Sequence, residues 1–217
     1  MTADHGLVVI AIDGPAGAGK STVGRELARR LNLSYLDTGA QFRTVGVAAL
    51  HYNVSFDDHA AVSALAEQFE VGDDGHVRVD GIDYSALIRS PEAGQAASKV
   101  AVIPEVRSAL AAHQRAWAHA HGGGVIEGRD IGSVVFPDAT LKLYITASAE
   151  VRGARRSAET GEAVHEVIAA IHERDQRDRN RDAAPLLASS DSVRIDTSQR
   201  SVHDIVEGIV ELLKERT

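Results

Sequence analysis

The apolar run Leu7 to Ile12 (LVVIAI), followed at once by Asp13 and by GPAGAGKS at 14–21, constrains this chain more than any other feature. A continuous apolar, β-branched run is the pattern of a strand buried on both faces, as in a parallel sheet. Val23, Leu27 and Leu31 then recur at spacing four, which predicts a helix from about Lys20. Leu33 to Leu36 reads as a short second strand, ended by Asp37-Thr38-Gly39. A strand, loop, helix, strand order predicts an α/β fold, a parallel sheet of about five strands flanked by helices.

Residues 14–21 fit the pattern G-x-x-x-x-G-K-[ST], and they stand where that pattern has a mechanism, after a buried strand and opening a helix. Glycines let the backbone curl until several N–H groups point at one phosphate, and the helix N-terminus adds partial positive charge. Gly14, Pro15, Ala16, Gly17, Ala18, Gly19, Lys20, Ser21 and Thr22 are therefore the expected cradle for a nucleoside triphosphate. Lys20 would reach the β- and γ-phosphates, and Ser21 would ligate Mg²⁺. The loop alone leaves kinase, GTPase and ATPase open.

The segment from about 57 to 103 breaks the βα rhythm. Asp57 or Asp58 can cap a short helix through Phe69, and EVGDDGHVRVDGIDY reads as antiparallel strands turning at Asp74-Gly75, outside the main sheet. Pro104 opens a long helix to about His121, with Val106, Leu110 and Trp117 facing inward, and Gly122 to Gly124 stop it. Val125-Ile126, Leu141 to Ile145 and Val193 to Ile195 are further strand candidates. The last helix spans about Ser201 to Lys214, with Val202, Ile205, Val206, Ile209 and Leu213 as its stripe and Ser201 with Asp204 as its N-terminal cap.

Composition narrows the function classes. A net charge of −8 argues against broad electrostatic attraction to nucleic acid. The longest apolar runs fall far short of the ~20 residues of a membrane span, and MTADHG lacks the basic start of a secretory signal. With no cysteine there is no disulfide and no thiolate site, which agrees with a reducing compartment, so a soluble cytoplasmic enzyme is expected. Seven arginines nevertheless crowd into 152–181 of an acidic chain, and such crowding calls for an anion or an ion-pair network. His113, His119 and His121 do not share one helix face, which weighs against a zinc site.

The segments IAIDGPAGAGKST, YLDTGAQFR, EGRDIGSVVFPDA and ERDQRDRNRDAAPL occur in this order, and together they resemble the signatures of the bacterial cytidylate kinases. The resemblance implies a P-loop kinase that moves the γ-phosphate of ATP directly to CMP or dCMP with Mg²⁺, acting as a monomer. It implies a core of about 1–37, 122–149 and 182–217, an acceptor-binding lobe of about 38–121 that carries the small antiparallel sheet, and an arginine-rich lid of about 150–181. By their match to the motifs, Arg43, Arg129 and Arg181 would hold the acceptor phosphate, as guanidinium forks can. Ser98, Arg107 and Asp130 would read the cytosine, Arg174 and Asp178 the sugar, and Thr38 and Phe42 would line the acceptor pocket. Arg152, Arg155 and Arg156 resemble the start of the lid, Arg155 bringing charge to the transferring phosphate and Arg156 touching ATP. Asp37 would orient Mg²⁺-bound water or cap a turn.

Two departures stand out. Phe42, preceded by Gln41, takes the place of a tyrosine that packs on the base, and the arm from Ser157 to Ile171 is short. They leave two alternatives: a kinase with another acceptor such as UMP or AMP, or a nucleotide-binding regulatory protein without turnover. Ser98, Arg107 and Asp130 weigh against the first, and the full set of phosphate-binding arginines against the second.

Overall fold

A computed structural model of the chain describes residues 7–71 and 76–215. The expected turn at Asp74-Gly75 and the amino-terminal MTADHG lie outside the described residues. Two compact units emerge, one formed by 1–37 with 117–217 and the other by 38–116.

The first unit is built on strands β1 (Val8–Asp13) and β2 (Tyr35–Asp37), joined by helix α1 (Lys20–Leu31). The second unit follows with helices α2 (Thr38–His51) and α3 (His59–Glu67), strands β3 (Phe69–Val71), β4 (Val77–Val79) and β5 (Ile82–Asp83), and helices α4 (Pro91–Val100) and α5 (Pro104–Ala120). The chain then completes the first unit with β6 (Gly123–Glu127), a turn of π-helix over Ile131–Val135, β7 (Leu141–Thr146), α6 (Ala149–Thr160), α7 (Val164–Arg179), β8 (Val193–Asp196) and α8 (Val202–Lys214).

In the first unit five parallel strands lie in the order β2-β6-β1-β7-β8, so β1 is central, with Ile12 paired to Glu127 on one side and Asp13 to Tyr144 on the other. Ile10, Ile12, Leu143 and Ile145 pack with Val23 and Leu27 of α1 and with Ile205, Val206 and Ile209 of α8 to form its core. Every strand expected from the sequence is present, but β2 starts two residues later than its apolar run and β6 starts at Gly123, in the glycines expected only to stop a helix. The Ser201 side chain caps α8 by accepting from Asp204 N. Val202, expected in the α8 stripe, is exposed, and Val210 is buried instead.

The second unit holds its own core, in which Val45, Val62, Phe69, Val79, Ile103, Val106 and Leu110 are buried. Its sheet is a three-stranded antiparallel meander, and β4 turns into β5 through Asp80-Gly81, both left-handed with φ 51° and 72°, the geometry of a two-residue hairpin turn. Asp58 caps α3 as expected, its carboxylate accepting from Ala61 N. Two helices had no counterpart in the sequence reading. In α2 the buried positions run from Thr44 to Ala49 without a polar face, so no stripe is visible. In α4, Ser90 caps a helix with Pro91 in its first turn, a start signal to which the sequence reading assigned no element.

Candidate active site

The carboxyl ends of the first unit's strands assemble the chemistry, where parallel sheets place ligands. At the end of β1 the chain must bend back within reach of β7. A Cβ on Gly14 would sit 1.9 Å from the Ile145 carbonyl oxygen, so only glycine fits there. The loop then enters α1 through left-handed Gly19, and no side chain caps that helix. Its N-terminus is thus the anion site that the phosphate-loop pattern predicts.

Lys20 is buried and donates from Nζ to the Pro15 carbonyl at 2.9 Å. Burial, followed by the Arg129 guanidinium, brings its pKa down to about 7, against the pull of Glu127. An arriving phosphate would restore the ammonium form. Ser21 Oγ donates to Glu127 Oε1 at 2.6 Å. Glu127 ends β6 in register with Asp37 at the end of β2. Burial first, and the Asp37 charge second, push the Glu127 carboxyl up. A hydroxyl beside two carboxylates is an all-oxygen donor set, and a nearby divalent cation would relieve their repulsion. Among the described residues no group of three or more His, Cys, Asp or Glu side chains is placed to cage a metal ion.

Next to it lies the segment Gly128-Arg129-Asp130. Asp13, the last residue of β1, is buried, and its two carboxylate oxygens accept from Ile131 N and Gly132 N, each at 2.8 Å. Arg129 donates from Nε to Asp178 Oδ2 at 2.9 Å, and Arg181 Nη1 stands 3.9 Å from Asp178 Oδ1. Asp178 on α7 therefore lies between the two arginines expected to hold the acceptor phosphate. Burial works against its charge, yet Arg129, Arg174 and Arg181 hold its carboxyl below the ordinary value. The structure brings Arg129, Arg174, Asp178 and Arg181 together, and Arg129 and Arg174 also bear on Lys20.

The expected lid arginines divide into three situations. Arg152 is buried, donating to Asp175 Oδ2 at 2.6 Å and to the Ala16 carbonyl of the phosphate loop at 3.1 Å. Arg155 grips Thr197, donating to its Oγ1 at 3.0 Å and its carbonyl at 2.8 Å, while Thr197 Oγ1 donates to Ala18 O at 2.9 Å. Arg156 pairs at the surface with Glu159 at 3.0 Å.

The remaining predicted residues stand in the second unit. Thr38, Phe42 and Arg43 lie on the first turns of α2, Ser98 on α4 and Arg107 on α5. The Arg107 guanidinium lies 5.4 Å from the centre of the Phe42 ring, and Arg107 donates to the Ala101 carbonyl. Ser98 Oγ is buried and has no hydrogen-bond partner among the described residues. Gln41, which precedes Phe42, is buried and accepts from Gln114 Nε2 at 2.9 Å. Of the three histidines considered together, His113 meets Phe69 edge-on and His121 stacks on Trp117.

Sequence reasoning assigned no role to Asp13, Glu127, Asp175 or Thr197. The first two carry a signal that can be read: each is a carboxylate ending a buried apolar strand on the side where the phosphate loop emerges.

A family profile described as Cytidylate kinase matches residues 10–215. A cytidylate kinase from Shewanella loihica is 42% identical over 219 residues, covering 96% of this chain and 95% of that one. Another from Streptomyces avermitilis is 41% identical over 216 residues, covering 96% and 94%. Among solved structures, a gluconokinase from Sinorhizobium meliloti superposes with a TM-score of 0.51 at 12% identity, covering 96% of this chain and 94% of that one, a likeness of fold alone. The profile takes in the phosphate loop, the Glu127 to Asp130 segment and the arginines of α7, and on that match the chain belongs to the cytidylate kinase family.

Proposed function

We propose that the protein transfers the γ-phosphate of ATP to CMP and dCMP, giving CDP and dCDP. The observation that carries this reading is the family match over residues 10–215, which spans both the phosphate loop and the acceptor motifs. An oxygen of the acceptor phosphate attacks the γ-phosphorus as the bond to the β-phosphate bridging oxygen breaks, and ADP leaves. No covalent nucleophile is required, so the work is positioning and charge stabilisation.

Lys20 follows the transferring phosphoryl group. Ser21, with Glu127 and Asp37, would hold Mg²⁺, which when bound neutralises charge on the β- and γ-phosphates. Gly14 to Thr22 cradle the triphosphate, and Arg155 and Arg156 belong to the lid of about 150–181 that closes on it. Arg129 and Arg181, with Arg43 from the acceptor lobe, hold the acceptor phosphate, while Arg174 and Asp178 serve its sugar. The pairing of Arg129 with Asp178 supports this assignment, because a carboxylate keeps the guanidinium oriented until an anion arrives. Ser98, Arg107 and Asp130 read the cytosine, and Thr38 and Phe42 line its pocket. The partnerless Ser98 hydroxyl is the support here, since a buried polar atom without a partner calls for one from a ligand. The enzyme acts as a monomer in the cytoplasm, where both of its substrates are found.

A coupled ADP-release assay across the common nucleoside monophosphates tests this reading. CMP and dCMP are expected to give the highest kcat/KM, and Asp130→Asn should lower activity on CMP and narrow its lead over UMP. A parent enzyme that prefers UMP or AMP ends the cytidine assignment. An Asp130→Asn enzyme that loses equally on both acceptors moves Asp130 to a supporting role.

A further inference from the structure

We propose that Asp13 is a positioning residue for acceptor choice, a two-point clamp on the central strand that sets the orientation of Asp130; the inference rests on the reading that Asp130 recognises the cytosine. Asp130 occupies the N-cap position of the π turn 131–135, with φ −147° and ψ 24°, and its side chain makes no capping hydrogen bond there. The turn is anchored at its carbonyls, Asp130 O accepting from Val134 N at 2.9 Å and Ile131 O from Phe136 N at 2.7 Å. Its first N–H groups are satisfied from outside. Asp13 Oδ1 takes Ile131 N and Oδ2 takes Gly132 N, across 118 and 119 residues of sequence.

The arrangement differs from an ordinary helix cap, in which the residue at the N-cap bends its own side chain back onto the turn. Here a second carboxylate, that of Asp13, takes the first amides of the turn. Two bonds from one rigid carboxylate to consecutive amides fix direction as well as position, whereas a single bond would leave a pivot. The anchor is itself fixed, because Asp13 lies in the centre of the sheet, in register with Tyr144 of β7, and is buried. A charge buried there is costly, and the two amides and the nearby Lys20 offset only part of that cost. Asp13 touches neither nucleotide in this reading. It acts through the backbone that carries Asp130 and, one residue earlier, Arg129.

The test is Asp13→Asn, which keeps the shape but sets an amide N–H₂ against one of the two backbone donors. Steady-state kinetics are measured with CMP, UMP and varied ATP. The expected result is a rise of about tenfold in KM for CMP and a fall of about fivefold or more in the CMP to UMP ratio of kcat/KM, the size of effect that loss of one charge-assisted hydrogen bond allows, with KM for ATP within about twofold of the parent. Asp13 also adjoins the phosphate loop, so a merely structural role would raise KM for ATP and CMP together with the ratio unchanged, and that outcome overturns the proposal. Unaltered kinetics overturn it as well. If Asp13→Asn does not fold, Asp13→Ser, which retains one acceptor oxygen in less volume, carries the same expectation and the same refutation. Failure of the underlying reading shows separately, in a parent enzyme without preference for CMP over UMP.

Discussion

The groups of the first unit proposed to handle phosphate and Ser98 of the second, proposed to read the base, are prepared in different ways. Lys20, Ser21, Arg129 and Arg155 each already hold a protein oxygen, on Pro15, Glu127, Asp178 and Thr197 respectively. Ser98, which is buried, holds none among the described residues. Cationic groups crowded together cannot wait without partners, because each would bear both burial and the repulsion of its neighbours. A neutral hydroxyl can wait, at the smaller cost of one unsatisfied hydrogen bond. The difference teaches that phosphate sites are built with protein carboxylates and carbonyls standing in for the phosphate, whereas a base pocket can leave its specific contact for the ligand.

The strongest way to break this comparison is at Lys20. It donates to Pro15 O, and the role proposed for it is to follow the transferring phosphate. Lys20→Ala should lower kcat at least about 100-fold with the fold retained. Near-normal turnover in a folded Lys20→Ala enzyme, checked by circular dichroism, would remove the phosphate-loop assignment.

Next in size are Arg129→Ala and Arg181→Ala. Each removes a charge-assisted contact worth about 1.5–3 kcal/mol, so kcat/KM for CMP should fall roughly 10- to 100-fold. The two losses should be less than additive, since both arginines share Asp178 and removal of either changes what the other meets. Strictly additive losses in a double-mutant cycle would separate them and break the shared stand-in.

Much of the donor side could be read in the sequence, because a backbone that must curl around phosphate needs glycines at fixed places. Gly14 is the clearest case, pressed against the Ile145 carbonyl. Strand β1 was legible for its own reason, as a continuous apolar run buried on both faces. The residues that the sequence hid act at long range. Asp13 meets its amides across 118 and 119 positions and Glu127 meets Ser21 across 106, so the local pattern that ends a strand on each carboxylate does not name its partner. Helix α2 was hidden by the opposite problem. It is buried at successive positions from Thr44 to Ala49, and a helix without a polar face has no period to detect. The turn at Asp80-Gly81, a second DG pair between alternating apolar residues, was within reach of the same rule but was not read.

A third prediction concerns the cost of preparing the donor side. Burial is the main cause, with the Asp130 charge adding to it, and together they raise the Asp13 pKa from 3.8 to about 6, against its two amides and Lys20. A carboxyl whose folded pKa is raised binds its proton more readily in the folded state. Its contribution to stability is therefore fully present below about pH 3.8 and is lost as the pH rises through about 6. Thermal melts of the parent and Asp13→Asn between pH 4 and 8 should thus differ by an amount that shifts against the parent as pH rises, on the order of 1–3 kcal/mol across the window. Other carboxylates titrate in both proteins and cancel in the difference. A flat difference curve would mean that Asp13 does not carry the burial cost assigned to it.

The smallest expected effect gives the finest test of the comparison, and it lies at Ser98. If this hydroxyl waits for the acceptor, Ser98→Ala should separate stability from affinity, two quantities that fall together for most buried polar residues. In the ligand-free protein the substitution removes a buried atom with no partner, so it should leave Tm unchanged or raise it slightly. With CMP bound the same substitution removes a hydrogen bond, and KM for CMP should rise about three- to tenfold while KM for ATP stays put. The expected signature is a protein at least as stable as the parent alone, yet less stabilised by saturating CMP in a thermal melt. A drop in Tm without ligand would show that Ser98 Oγ already has a structural partner, and the contrast with Lys20 and Arg129 would dissolve. Unchanged stabilisation by CMP would remove Ser98 from the pocket, leaving Arg107 and Asp130 to account for base choice.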